Sequence, residues 1–70
     1  MNYTINELKI LEIFNDIKSD ENELELTNNT LVRKHYQAKI GAKWEVLQII
    51  LNASTHKEAY ETVHAIAQRA

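Results

Sequence analysis

Cysteine and proline are absent from this 70-residue chain, and glycine occurs once, at Gly41. Without cysteine there is neither a disulfide nor a thiolate metal site, so folding must rest on apolar burial, and a reducing, cytoplasmic setting is expected. Without proline, and with a single glycine, few positions force the backbone out of a helix. The longest unbroken apolar run is Ile49-Ile50-Leu51, far short of the roughly 20 residues that cross a bilayer, and no signal-peptide-like run follows Met1. No membrane partner is expected.

Chemistry-bearing patterns are equally scarce. His56 and His64 are eight residues apart, about 12 Å along a helix, and His35 has no ligand at i+4, so no metal site is predicted. The acids Asp20, Glu21, Glu23 and Glu25 read as a solvated run without a pocket. Ser19 and Ser54 have no His and acid pattern to activate them, and one glycine cannot build a phosphate-cradling loop. The expectation is a non-enzyme with no catalytic residues, no metal and no cofactor. Enrichment in Asn, Ile and Lys, residues of AT-rich codons, suggests a phage or mobile-element gene.

What is present is helical periodicity. Thr4-Ile5-Asn6-Glu7 and Thr55-His56-Lys57-Glu58 both have the S/T-x-x-E form of a capping box, placing helix starts at Ile5 and near His56. The first helix carries a stripe of Ile10, Leu11, Ile13, Phe14 and Ile17 and is expected to end near Lys18 or Ser19. Residues 19–28 read as an acidic connector, extended at Glu23-Leu24-Glu25-Leu26-Thr27 and tucking Leu24 and Leu26 against the core. Asn28, Asn29 and Thr30 are all acceptable N-caps for a long central helix. In the last helix Ala59, Tyr60, Val63, Ile66 and Ala67 share one side, with Lys57, Glu61, His64 and Gln68 opposite. The fold class is therefore all-α: one small three-helix domain, orthogonal or antiparallel, with helices near 5–18, 29–53 and 56–69.

The central helix is unusually apolar around its circumference. At 100° per residue, Arg33, Gln37, Gly41, Glu45, Gln48 and Asn52 share one polar arc of about 120°. The remaining arc carries Leu31, Val32, His35, Tyr36, Ala38, Ile40, Ala42, Val46, Leu47, Ile49 and Ile50, with Trp44 and Leu51 at its margin. An arc that wide needs partners on two sides, so a homodimer through this helix is expected. Within it Lys39 and Lys43 lie i,i+4 among apolar neighbours. Either their stems cover core edges while the ammonium groups reach water, or they meet carboxylates of a partner, with Tyr36, Lys39, Lys43 and Trp44 as the partner-binding group. Trp44 also suits a core position.

Charge is segregated along the chain. Residues 1–27 hold seven acids against Lys9 and Lys18, a net of −5, whereas residues 28–57 hold Arg33, Lys34, Lys39, Lys43 and Lys57 against Glu45, a net of +4. The simpler account packs an acidic first element beside a basic central one; the sharper one turns a patch toward a charged partner. The function expected is that of a small helical protein that binds and modulates or inhibits another macromolecule, most simply a protein. The alternative is a DNA-binding regulator with a helix-turn-helix broken at Gly41, residues 31–40 and 43–52 forming its helices and Arg33, Lys34, Lys39 and Lys43 contacting phosphates. The second of those helices, rich in Val, Leu and Ile, suits a core better than a groove.

Overall fold

The computed structural model describes residues 3–69, which form three helices: α1 (Ile5–Leu26), α2 (Thr30–Ile50) and α3 (His56–Ala67). The all-α expectation holds. α1 and α2 pair along their lengths as a hairpin, and α3 packs across both. The radius of gyration, 13.0 Å, exceeds the roughly 11 Å of a compact chain this long, and the extents are 40 × 26 × 17 Å. The hairpin is thus elongated, which leaves much helix surface uncovered.

Local signals set most of the boundaries. Thr4 closes a complete capping box: its hydroxyl accepts from the Glu7 amide, and Glu7 Oε1 accepts from the Thr4 amide at 2.9 Å. Thr55 caps α3 by accepting from the Glu58 amide, but the Glu58 carboxylate reaches one residue further back, to the Ser54 amide at 3.3 Å. Of the three candidate caps for α2, Asn29 serves; its Oδ1 accepts from the amides of Leu31 and Val32.

Two boundaries differ from expectation by three residues or more, while α2 starts one residue later and α3 ends two residues earlier than expected. Residues 19–26 are helical, so the acidic connector shrinks to residues 27–29, and α1, at 22 residues, is as long as the 21-residue central helix. The helical stripe does continue, through Ile10, Phe14, Ile17, Asp20 and Leu24, but its fourth place is taken by a carboxylate. Asp20 is buried to 6% exposure, Leu24 is half-buried, and Leu26 stands in solvent rather than against the core. α2 ends at Ile50, not Ala53. Asn52 adopts φ 54°, and the amides of Asn52 and Ala53 donate to the carbonyls of Ile49 and Gln48, the paired reversal bonds of a Schellman ending.

The core consists of Ile10, Phe14 and Ile17 from α1, Trp44 and Leu47 from α2, and Ala59 and Val63 from α3. Ile13, Ile40, Leu51, Ile66 and Ala67 pack around it. Each large member contributes about 1.5–3 kcal/mol by leaving water, so a set this small supports only modest stability. Among the described residues no buried side-chain nitrogen or oxygen lacks a hydrogen-bond partner.

Candidate interaction surface

α2 presents two different sides. The inner side, Tyr36, Ile40, Trp44, Leu47 and Leu51, repeats at three- and four-residue intervals and meets α1 and α3. The outer side is apolar and open. Leu31 is 77% exposed, Ile49 79% and Val46 45%, with Ala38 and Ala42 exposed between them and Val32 and Ile50 along one margin. Only part of the wide arc read from the sequence is covered within one chain. The rest leaves apolar side chains exposed over about five turns from Leu31 to Ile49, with His35 and Glu45 among them.

The basic residues of α2 are largely engaged by α1. Lys43 Nζ lies 2.6 Å from Oδ2 of Asp20, and Lys39 Nζ lies 3.6 Å from Oδ1 of the same carboxylate and 5.2 Å from the Tyr36 ring centre. The hydrogen bond from Lys43, reinforced by the charge of Lys39, outweighs the opposing effect of burial and holds the Asp20 carboxyl below its ordinary pKa. Arg33, assigned by periodicity to the solvent-facing arc, folds back instead: Nη1 donates to the carbonyls of Leu24 at 2.7 Å and Thr27 at 3.2 Å. It thereby satisfies carbonyls at the end of α1, whose last turn carries no basic residue of its own.

Trp44 is buried, its ring in edge contact with Phe14 at 6.1 Å and His56 at 4.8 Å between centres. Of the group Tyr36, Lys39, Lys43 and Trp44, the two lysines therefore meet a carboxylate of their own chain, and Trp44 belongs to the core. Tyr36, half-buried, lies on the inner side, and of the four only Lys39, with 42% of its side chain exposed, stands at the margin of the outer stripe. Among the described residues Asp20 is the one acid of α1 that pairs with basic residues of α2.

The helix-turn-helix expectation is not met. α2 runs unbroken through Gly41, and of Arg33, Lys34, Lys39 and Lys43 only Lys34 has no ion pair or hydrogen bond among the described residues. The four do not form a common basic face.

Two concave features lie outside the hairpin seam. The C-terminal end of the outer stripe opens into a shallow depression of about 540 Å³ lined by Glu45, Gln48, Ile49, Asn52 and Ala53. A smaller cleft of about 260 Å³ lies where α3 crosses, lined by rings of Phe14, Trp44, His56, Tyr60 and His64 with Lys18 and Glu21 at its rim. His64, placed by periodicity on the outer side of α3, is half-buried there, its ring 4.2 Å from Tyr60 and 5.2 Å from Phe14 between centres. The rings touch one another, while His56 and Tyr60 remain exposed to solvent. Among the described residues no cluster of three His, Asp or Glu side chains is arranged to hold a metal ion, and no helix is long and apolar enough to cross a membrane.

The fold and surface together define a small three-helix domain with one open apolar helix face. Comparison with protein-family models, characterised proteins and solved structures finds no match for the chain.

Proposed function

We propose that this protein is a non-enzymatic interaction module that docks the outer face of α2 against a helix of another protein, and modulates or inhibits that protein by occupying its surface. The observation that carries this reading is the run of exposed apolar side chains from Leu31 to Ile49 on a helix whose opposite side is already packed. An amphipathic helix laid along such a stripe contributes anchors at i, i+3, i+4 and i+7 spacing. The exposed alanines 38 and 42 support the same reading, because small side chains at the centre of a helix face let a second backbone approach closely. Lys39 flanks the contact, whereas Tyr36, Lys43 and Trp44 belong to the packed side of the same helix.

A photo-crosslinking amino acid at Ile49, compared with one at Lys57 on exposed α3, tests the proposal in lysate of the producing cells. A discrete product heavier than two copies of the chain, formed from position 49 and not from 57, is expected. Equal labelling from both positions, or no such product from position 49, overturns the proposal.

A further inference from the structure

We infer that, without its partner, α2's outer face closes on the α2 of a second copy in antiparallel orientation, so that self-association masks the docking surface. This rests on the reading of that face as a docking surface and adds what occupies it at rest. The stripe follows a three-four repeat, Leu31, His35, Ala38, Ala42, Glu45 and Ile49, the seam spacing of paired helices. Its ends are large, its middle is small, and its charges are unevenly placed.

Charge decides the orientation. Lys34 and Glu45 project from one flank of the stripe, about 20° apart on the helix wheel and eleven residues apart in sequence. With the two-fold axis level with residue 40, Leu31 lies level with Ile49 of the second copy and Ala38 level with Ala42. Lys34 then falls within about 1.5 Å, along the axis, of the level of the opposing Glu45, and symmetry makes the contact twice. On the other flank Val32 meets Val46, and the two copies of Lys39 approach each other, each held by its own Asp20. A parallel pair would instead turn the Lys34 and Glu45 flank of each copy toward the Val32, Lys39 and Val46 flank of the other, which offers Lys34 no acid, and would align the helix dipoles. The antiparallel pair is the arrangement in which both the apolar ends and the free charges find complements.

The test uses the purified full chain. Light scattering across a concentration range should give twice the chain mass. Ala42→Glu, at an exposed position, should return a monomer with unchanged helical circular dichroism. Lys34→Glu and Glu45→Lys should each raise the dimer Kd roughly ten-fold, and the two together should restore it. Because the chain has no cysteine, orientation can be read directly by mixing Leu31→Cys and Ile49→Cys proteins under oxidation. The antiparallel pair gives the mixed disulfide and neither homodisulfide, since like positions lie about 27 Å apart along the axis, well beyond disulfide reach. Homodisulfides formed in preference would overturn the orientation, and a monomer at all concentrations would overturn self-association. In that last case the crosslink from position 49 to another protein still decides the docking reading separately.

Discussion

Lys43 donates from Nζ to Oδ2 of Asp20 at 2.6 Å, joining α2 to the one buried charge of α1. The pair converts an acid at a core-facing position from a fault in the apolar stripe into a lock between the two helices of the hairpin. Lys43→Met should cost about 1–3 kcal/mol, because the buried carboxylate loses its closest donor and retains only Lys39 at 3.6 Å. Adding Asp20→Leu to that variant should recover most of the loss, since a well-packed apolar pair matches or exceeds a buried ion pair. Urea unfolding of the three proteins measures both steps.

Acid should destabilise the fold through two carboxylates. Asp20 is held below its ordinary pKa chiefly by Lys43, and Glu7 chiefly by the Thr4 amide with help from Arg69. A carboxyl whose folded pKa is depressed contributes stability above its unfolded pKa, near 4, and loses it as pH falls through the folded value. Melting temperature should therefore be level near neutrality and fall below about pH 4. The fall should be shallower in Asp20→Asn, which removes one of the two titrations; thermal melts from pH 7 to pH 2 provide the check.

Arg33 ties the end of α1 to the start of α2 by donating to Leu24 and Thr27 carbonyls. Arg33→Leu should cost about 1–2 kcal/mol and speed amide hydrogen exchange in the last turn of α1 ahead of the rest of the helix. Arg33→Lys should recover only part, because an ammonium is a point donor and not a planar fork.

At Gly41 an added Cβ meets nothing within 4 Å, and the backbone there is ordinary helix. Gly41→Ala should raise stability by about 0.5–1 kcal/mol, with a matching increase in melting temperature. A turn at this position would give the opposite sign.

Asn52 occupies the left-handed region at φ 54°. Asn52→Gly should be neutral or slightly stabilising, while Asn52→Val should cost at least about 1 kcal/mol through steric clash of the branched side chain with its own backbone. Chemical denaturation separates the two.

These residues also show why some features could be read from the sequence and others could not. Helix starts at Thr4 and Thr55 were legible because a capping box is a contact between residues three apart, and the all-α class followed from periodicity and from the missing proline. The end of α2 is not legible in the sequence, because an asparagine performs the reversal that a glycine would advertise. The end of α1 is not legible either, because Asp20 occupies a core-facing slot whose acceptability depends on two lysines more than eighteen positions away.

The sequence by itself determined the helices, the excess of apolar surface on α2 and the opposite charges of the first two elements, since all three depend on local spacing or simple counts. Only the tertiary structure decided which part of that apolar arc is spent on the chain's own core, and that Arg33, Lys39 and Lys43 turn inward to α1. The reason is that a helix wheel measures angle, not neighbours. Packing against α1 and α3 selects the inner side of α2, centred on Ile40, Trp44 and Leu47, and leaves the side from Leu31 to Ile49 open.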